Sequence, residues 1–264
     1  MAEKKGPKGF VEIVQRARAA TVAVATADLT QQGNQAVFAN FISHGSGFFI
    51  NRDGLLLTAR HVVPSLTTPS RVYFILHRSN STSAWYATSR SLTHDFPDID
   101  VCAIKFDRKV GWLPLSQYLP KQGAEIAVYG FPASQIQINN GQINGDLIKP
   151  RASKATISSI QAESMSFTGA TGIINVQGKT MIESQFVFIK GNSGGPVLDA
   201  KTGKVVGIVT GVQNIPQDAR LESVTLNNQN QNVIGIPYAS YSFAMSISEV
   251  IPRLVRGSYS HWWR

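Results

Sequence analysis

Three segments of the sequence carry residues that together could perform nucleophilic catalysis. Ser193 stands in Lys190–Pro196 with glycines close on both sides, His61 follows an apolar run, and Asp100 opens another. A serine hydroxyl attacks a carbonyl only when a base takes its proton, and an acid must hold that base in the right tautomer. These three residues are therefore candidates for nucleophile, base and orienting acid. The glycines would let a tight turn aim the N–H groups of Gly191 and Ser193 at one oxygen.

Each segment also has a simpler explanation when it is taken alone. The serine motif could be an ordinary turn between two strands, a lone histidine after a strand is more often structural, and most aspartates at a strand start are turn residues. Asp98 is a rival for the acid. The four remaining histidines have weaker contexts, in a Ser/Gly stretch, in unpatterned segments or in the C-terminal tail: His44, His77, His94 and His261.

The composition and charge argue against a protein whose main role is nucleic-acid binding. The chain has 264 residues, is 43% hydrophobic, and carries 25 Lys and Arg against 16 Asp and Glu, a net charge of +9. A basic surface can attract nucleic acid or acidic protein, but it can equally serve solubility. The basic residues are scattered and no RRM, KH or zinc-finger pattern is present, so nucleic-acid binding is not expected as the main role.

The cysteine count and the hydropathy limit the disulfides, metal sites and membrane spans that can be expected. Cys102 is the single cysteine, which excludes an internal disulfide, and no Cys or His pairs stand at metal spacing. No metal or other cofactor is therefore expected. The N-terminus lacks an apolar signal region and no apolar run approaches about 18 residues, so we expect no membrane span and a cytoplasmic location.

Short apolar runs separated by Gly, Asn, Asp and Pro predict an all-β fold. A helix is predicted near the N-terminus from the spacing of Phe10, Ile13, Val14 and Ala17, and another over Ile247–Arg256 with Gly257 as its stop. The turn Asn51–Gly54 predicts a hairpin. Predicted strands are Thr21–Ala25, Gly47–Ile50, Leu55–Thr58, Arg71–Leu76, Val101–Phe106, Glu125–Tyr129, Ala155–Ile160, Gly172–Val176, Phe186–Ile189, Val205–Val209 and Tyr241–Ile247.

Two stretches near the C-terminus differ from this pattern. Val212–Ser240 is rich in Asn and Gln and poor in apolar residues, which predicts a long surface loop. The aromatic tail Tyr259–Arg264 is interpreted as a segment that docks on the chain's own body.

Taken together, the three catalytic segments resemble the trypsin-like serine proteases, most closely their Deg/HtrA-type branch. The resemblance spans roughly residues 20–255. It rests on segments that match the family's histidine, aspartate and serine motifs and two later strands: Gly45–Ile50, Leu57–Val63, Asp100 with the run after it, Gly191–Pro196, Val206–Thr210 and Ser242–Met245.

The resemblance implies a chymotrypsin-like fold of two six-stranded antiparallel β-barrels, with the site between them. Residues 1–9 would form a basic tail, 10–115 the N-terminal helix and first barrel, and 116–264 the second barrel, C-terminal helix and tail of one protease unit. It also implies a serine endopeptidase that acts on proteins or peptides without a cofactor. Ser193 would form the acyl-enzyme, and the N–H groups of Gly191 and Ser193 would hold the oxyanion. The oligomeric state stays open.

Departures from the family pattern sharpen the expectation. Asn192 stands where digestive members carry Asp, so the activation salt bridge cannot form and no zymogen cleavage is expected. We also expect the protease domain alone, without the PDZ domain that usually follows in the Deg-type branch. The substrate pocket would be lined without any acidic residue, which favours a small or medium apolar P1 residue: Val187, Phe188, Thr210, Gly211, Val212 and Ser242. The alternative is a catalytically latent binding or holdase module on the same fold.

Overall fold

The computed structural model describes most of the chain. The described residues are 9–33, 35–63, 71–78, 83–88, 93–106, 110–132, 138–139, 142–143, 149–169, 172–185, 188–216, 220–226, 229–235 and 238–256.

An antiparallel seven-stranded sheet forms the N-terminal part of the protein. Its strands are β1 (Thr21–Gln32), β2 (Gln35–Phe49), β3 (Leu55–Ala59), β4 (Arg71–Arg78), β5 (Ser83–Thr88), β6 (Thr93–Phe96) and β7 (Val101–Lys105). They pair in the order β5-β4-β1-β2-β3-β7-β6. The predicted hairpin is confirmed, because β2 pairs with β3 across Asn51–Gly54 and the Asn51 Oδ1 atom accepts the Leu55 N–H at 2.9 Å.

A closed six-stranded barrel forms the C-terminal part. The later strands are β8 (Glu125–Gly130), β9 (Ile138–Asn139), β10 (Gln142–Ile143), β11 (Arg151–Gly169), β12 (Gly172–Ser184), β13 (Pro196–Asp199), β14 (Val205–Pro216), β15 (Arg220–Leu226), β16 (Gln229–Gly235) and β17 (Tyr238–Ser246). The barrel closes in the order β11-β12-β17-β14-β13-β8, while β9 pairs with β10 and β15 pairs with β16 outside it. Closure removes the exposed edges of a sheet.

The predicted fold class is confirmed, with some differences in detail. The two predicted helices are present as α1 (Phe10–Ala20) and α2 (Ile247–Arg256). The N-terminal sheet has seven strands where six were expected, and no pairing joins its two end strands within the described residues. The loop predicted over Val212–Ser240 is wrong, because strands occupy most of it. The strand predicted over Phe186–Ile189 is also wrong for Phe188 and Ile189, which lie outside any strand, and residues 186 and 187 lie outside the described residues.

A shared hydrophobic core lies between the sheet and the barrel. It joins α1, the inner face of the sheet, the barrel and α2 through fully buried side chains such as Ile13, Leu57, Val205 and Leu254. Each half also has a cluster of its own. The segment between the halves is hydrogen-bonded to both: Leu113 donates its N–H to the Phe49 carbonyl at 2.9 Å, and Ser116 donates to the Val205 carbonyl at 2.8 Å. The predicted division at residue 116 falls here and stays a prediction.

Candidate active site

His61 lies on a short turn at the end of a buried strand. All five residues of β3 are buried, as a continuous apolar run requires, and a 3₁₀ turn over Arg60–Val62 follows at once. β3 pairs with β7 so that Ala59 lies opposite Val101. This register places Asp100, the residue before Val101, beside the turn. The N–H of Arg60 donates to the Asp100 carbonyl at 2.9 Å.

The side chains of His61 and Asp100 form a direct hydrogen bond. The distance from His61 Nδ1 to Asp100 Oδ2 is 2.7 Å, and the His61 backbone N–H donates to Oδ1 at 3.0 Å. A carboxylate only accepts hydrogen bonds, so Nδ1 carries the proton and Nε2 becomes the basic nitrogen. The Asp100 side chain is fully buried and the imidazole is 12% exposed. The pair thus has the geometry of a base held by an orienting acid.

Asp100 occupies a backbone conformation that few residue types accept. Its φ of 51° and ψ of 41° lie in the left-handed region, and it is the one non-glycine residue with positive φ among the described residues. Aspartate and asparagine enter this region more easily than other side chains. The sequence therefore satisfies a backbone requirement and a chemical requirement with the same residue.

Asp98, the rival acid, has other partners. Its carboxylate forms ion pairs with Arg253 of α2 and with Lys179 of β12, the latter at 3.3 Å. These hydrogen bonds to Arg253 and Lys179 lower the pKa of Asp98, against a smaller opposing effect of burial. Asp98 thus connects the turn before Asp100 to the C-terminal half of the molecule.

The other histidines lie apart from this pair or outside the described residues. His44 Nε2 is 2.9 Å from the Thr26 hydroxyl, and the ring of His94 packs edge-on against Phe96 at a centroid distance of 4.9 Å. His77 lies within β4, and His261 lies outside the described residues.

Two successive tight turns carry Ser193. The N–H of Asn192 donates to the Ile189 carbonyl at 2.9 Å, and the N–H of Gly195 donates to the Asn192 carbonyl at 2.8 Å. The third residue of each turn is a glycine with positive φ, 99° at Gly191 and 81° at Gly194. Turns of type II need positive φ at that position, which explains both glycines. Ser193 is the second residue of the second turn.

The residues next to Ser193 differ in how their backbone N–H groups are used. Asn192, Gly194 and Gly195 each donate the N–H group to a backbone carbonyl. Within the described residues, neither Gly191 nor Ser193 is a donor in such a bond. These are the two N–H groups that the sequence assigns to an oxyanion hole.

The serine turns pack tightly against the strand ends that lead to His61. The N–H of Ser46 on β2 donates to the Ser193 carbonyl at 2.8 Å. A Cβ atom added at Gly194 would lie 2.2 Å from the Ser46 carbonyl oxygen and 2.7 Å from the nitrogen of Ala59. A Cβ atom added at Gly45 would lie 2.7 Å from both the Ser193 carbonyl oxygen and a methyl group of Val62. The turns that carry Ser193 therefore pack against the ends of β2 and β3, and His61 lies on the turn that follows β3.

Three of the six predicted pocket residues, Phe188, Thr210 and Ser242, are buried in the barrel. Phe188 and Ser242 contact each other, since the Phe188 N–H donates to the Ser242 hydroxyl at 2.6 Å. The Thr210 hydroxyl donates to the Ile208 carbonyl at 3.1 Å and accepts the Met245 N–H at 3.1 Å. These two hydroxyls serve the barrel's own hydrogen bonding.

The remaining pocket residues lie on β14 or outside the described residues. Gly211 and Val212 follow Thr210 on β14 and are half-buried. The pairing of β14 with β17 shifts register at Thr210, and such irregularities are common beside active sites. Val187 lies outside the described residues.

Ser46 is a site residue that the sequence analysis missed. It is fully buried, and its hydroxyl lies between the Gly191 carbonyl oxygen and the Phe131 N–H. The available signal was a small polar residue between Gly45 and Gly47 in an otherwise apolar strand end. Glycines on both sides of a serine indicate close packing as well as a turn.

No metal or membrane feature is found in the described parts of the chain. They hold no cluster of three or more His, Cys, Asp and Glu side chains that could bind a metal ion. The described helices are also too short or too polar to cross a membrane. Burial raises the pKa of the Cys102 thiol well above its usual value, so this side chain is an unreactive part of the core.

Comparisons with solved structures identify the fold. The Rv3671c protease of M. tuberculosis, in its active form, is 17% identical, with a TM-score of 0.53 over 96% of this chain and 88% of that chain. The MamO protease domain of Magnetospirillum magneticum is 15% identical, with a TM-score of 0.56 over 91% and 98% of the two chains. Deg5 is 17% identical, with a TM-score of 0.56 over 93% of each chain.

Comparisons of sequence identify the family. No curated protein matches the sequence. The family model described as a trypsin-like peptidase domain matches residues 45–208, which is more than half of the chain and includes His61, Asp100 and Ser193. The expected likeness to the Deg/HtrA-type branch is confirmed at the level of the fold by the similarity to Deg5. The chain belongs to the trypsin-like peptidase domain family.

Proposed function

We propose that this protein is a serine endopeptidase that hydrolyses peptide bonds through an acyl-enzyme on Ser193. The observation that carries the proposal is the buried Asp100 carboxylate, which holds His61 Nδ1 at 2.7 Å beside the turns that present Ser193. An aspartate in this role fixes the tautomer of the imidazole and stabilises the imidazolium. Membership of the trypsin-like family supports the same reaction.

The proposed reaction begins with attack by the Ser193 hydroxyl. His61 Nε2 takes the proton of the hydroxyl while the Ser193 Oγ atom bonds to the carbonyl carbon of the substrate. The resulting imidazolium then donates this proton to the leaving amine as the C–N bond breaks. Water enters with His61 again as the base, and its attack on the ester releases the acid and restores Ser193.

The negative charge on the carbonyl oxygen would be stabilised by the N–H groups of Gly191 and Ser193. Asn192, Gly194 and Gly195 each donate the N–H group to a backbone carbonyl, whereas Gly191 and Ser193 donate to no such carbonyl within the described residues, which leaves their N–H groups for a ligand. Donors that are positioned before the reaction need no reorganisation when the charge develops. The loss of one such donor typically lowers kcat by about 10²- to 10³-fold.

The substrate would extend along the open edge of β14. β13 pairs with β14 only as far as Ile208, whereas β14 continues to Pro216. Thr210–Val212 therefore have one side that no described strand covers, and an extended peptide can add there as a further strand. No acidic side chain lies at Phe188, Thr210–Val212 or Ser242, so we propose a small or medium apolar P1 residue. This preference is soft, because a methylene group is worth about 1–3 kcal/mol.

A fluorophosphonate probe and fluorescent casein test this proposal together. We expect the wild type to react with the probe and to cleave casein, and Ser193→Ala and His61→Ala to lose both activities. His94→Ala serves as the histidine control and should keep them. The residues at the cleaved ends of casein, read by mass spectrometry, give the P1 preference.

Two results would overturn the proposal. One is a folded wild-type protein that neither reacts with the fluorophosphonate probe nor cleaves casein. The other is casein cleavage that persists in Ser193→Ala. If wild type and Ser193→Ala suppress the aggregation of unfolded casein equally and neither cleaves it, the protein is a holdase on a protease fold.

A further inference from the structure

Ser46 connects the N-terminal sheet to the turns that carry the nucleophile. Its backbone N–H donates to the Ser193 carbonyl at 2.8 Å, and its hydroxyl donates to the Gly191 carbonyl at 2.6 Å. The hydroxyl also accepts the Phe131 N–H at 2.9 Å, just after β8. The carbonyl of Ser46 in turn accepts the Thr58 hydroxyl at 2.6 Å. A single buried residue of β2 thus contacts the barrel at three points.

We propose that the Ser46 hydroxyl is a positioning group that holds the oxyanion-binding turns in their reactive conformation. The inference rests on the proposed function, because it assigns a role in the same reaction. Ser46 itself touches no reacting atom in this scheme. It acts through the peptide groups on both sides of the one that carries the Ser193 N–H, and the first of these also adjoins the peptide that carries the Gly191 N–H.

The argument begins with the peptide group between Gly191 and Asn192. Its carbonyl is held by the Ser46 hydroxyl, and its N–H is held by the Ile189 carbonyl at 2.9 Å. A peptide group is planar, so partners at both ends fix the orientation of the whole plane. Gly191 needs this restraint, because glycine at a φ of 99° has other conformations of similar energy.

The next held group is the peptide between Ser193 and Gly194. Its carbonyl accepts the Ser46 N–H, and its own N–H donates to the Val209 carbonyl at 2.7 Å. The Ser193 N–H belongs to the peptide between these two held groups, and the Gly191 N–H belongs to the peptide just before them. Both oxyanion donors are therefore oriented by neighbours that Ser46 restrains.

The hydroxyl is needed because the backbone of Ser46 makes only one of these contacts. Any residue type at position 46 would supply the N–H for Ser193, but a hydroxyl can also donate to Gly191 and accept from Phe131. The hydroxyl lies close to the end of β8, since a Cβ atom added at Gly130 would lie 2.9 Å from the Ser46 Oγ atom. An alanine would leave the part-buried Gly191 carbonyl and the buried Phe131 N–H without this partner.

The test compares Ser46→Ala with Ser246→Ala at a temperature where both variants are folded. Ser246 is the matched control, because it is also fully buried and its hydroxyl bonds to the Ser248 hydroxyl at 2.9 Å and to the Ser248 N–H at 3.3 Å, away from the serine turns. The readouts are the fluorophosphonate labelling rate and the affinities of a peptide aldehyde and of the matching peptide amide. The aldehyde forms an oxyanion in the site, and the amide does not.

We expect Ser46→Ala to lower the labelling rate and the aldehyde affinity by about 10- to 100-fold and the amide affinity by less than about 3-fold. Ser246→Ala should leave the labelling rate and both affinities unchanged. The proposal is overturned if Ser46→Ala labels at the wild-type rate, or if aldehyde and amide affinities fall together. If Ser46→Ala does not fold, Ser46→Cys places a weaker hydrogen-bonding group at this position. It should then lower the labelling rate and the aldehyde affinity more than the amide affinity.

A crystal structure of Ser46→Ala separates this inference from the proposed function. We expect the peptide between Gly191 and Asn192 to rotate, whether or not the wild type proves to be a protease. Unchanged turns in that structure would overturn the role of Ser46. An unlabelled wild type combined with a rotated peptide would overturn the proposed activity and leave the structural role of the hydroxyl standing.

Discussion

The two halves of the candidate site are built by opposite means. His61 and Asp100 come from the N-terminal sheet and meet through their side chains, with the imidazole and an amide both donating to one carboxylate. Ser193 comes from the C-terminal barrel on turns whose shape depends on backbone hydrogen bonds and on glycines. The acid–base half therefore depends on which side chains are present, and the nucleophile half depends on positions where side chains are absent.

This difference predicts how each half fails. A substitution in the acid–base half should remove chemistry and leave the fold, provided that the new residue suits the local backbone. A substitution in the serine turns should act through geometry, because an added atom meets backbone that cannot move aside. Three sets of variants test this contrast, and they follow in order of expected effect.

The largest effect is expected from Asp100→Asn. Asparagine accepts the left-handed backbone at this position, so the fold should persist. Its amide cannot accept from both the imidazole and the His61 N–H as a carboxylate does, which favours the wrong tautomer of His61. We expect the fluorophosphonate labelling rate to fall by about 10³- to 10⁴-fold, close to the loss known for this exchange in such triads. Melting temperature should change little.

Asp98→Asn is the matched control for this variant. It makes the same chemical change two residues earlier, at a carboxylate that pairs with Arg253 and Lys179. Its labelling rate should stay within about 3-fold of the wild type, since a surface ion pair contributes about 1 kcal/mol or less. A large loss in Asp98→Asn with normal labelling of Asp100→Asn would reverse the assignment of the acid.

The next effect in size is the destabilisation by Gly194→Ala. Alanine would be strained at a φ of 81°, and its Cβ atom would lie 2.2 Å from the Ser46 carbonyl oxygen and from the Thr58 hydroxyl. Strain of this kind costs about 1–3 kcal/mol and forced overpacking costs about as much again. We expect a total loss of about 3–5 kcal/mol in the free energy of unfolding, measured in urea.

Two further glycines separate strain from crowding. Gly123 has a φ of 80° with nothing within 4 Å of an added Cβ atom, so Gly123→Ala should show the strain alone. Gly45 lacks positive φ but has the Ser193 carbonyl oxygen 2.7 Å from the added atom, so Gly45→Ala should show the crowding alone. Equal stability losses in Gly123→Ala and Gly194→Ala would contradict the close contact between the serine turns and β2.

The smallest effect concerns the ion pairs that join the halves through Asp98. Arg253 and Lys179 hold the pKa of Asp98 below its ordinary value of 3.8. A lowered folded-state pKa stabilises the protein fully above the unfolded-state value, and this stabilisation is lost as the pH falls through the folded-state value. The free energy of unfolding of the wild type should therefore exceed that of Asp98→Asn by about 0.5 kcal/mol above about pH 5. The difference is small because half of the Asp98 side chain is exposed to solvent.

This difference should shrink toward zero as the pH falls below the lowered pKa, and also at high salt. Unfolding in urea at several pH values measures it. A double-mutant cycle with Arg253→Gln isolates the pair, because the coupling energy disappears when either partner is absent. A difference that grows toward low pH would contradict the direction of the shift.

The strands that carry the acid–base half could be predicted from the sequence, whereas the roles of His61 and Asp100 rest on the family resemblance and stay predictions. His61 and Asp100 follow and precede apolar runs, and these become the paired strands β3 and β7. The last helix was also predicted with its bounds, Ile247–Arg256, from the stop at Gly257. Such features depend on local patterns of apolar residues, and local patterns are what a single sequence records.

The rest depends on pairing and packing over long distances. Strands β15 and β16 pair with each other in the region rich in Asn and Gln. This region has no regular apolar alternation from which the pairing could have been predicted. The role of Ser46 depends on contacts 145 residues away along the chain. A reader of the sequence sees a small residue between two glycines and has no means of identifying its partners.

The shared core has a consequence for how the protein emerges from the ribosome. Ile13 and Ala17 of α1 are buried in the same cluster as Val250 and Leu254 of α2. Synthesis runs from the N-terminus at about 5–20 residues per second, so the first helix is exposed for much of the time that the chain takes to be made. The helix packs against β1, β4 and β8, so its apolar face is covered only after Glu125–Gly130 has been made. A nascent chain therefore carries this surface for seconds and offers a chaperone a target that the finished protein hides.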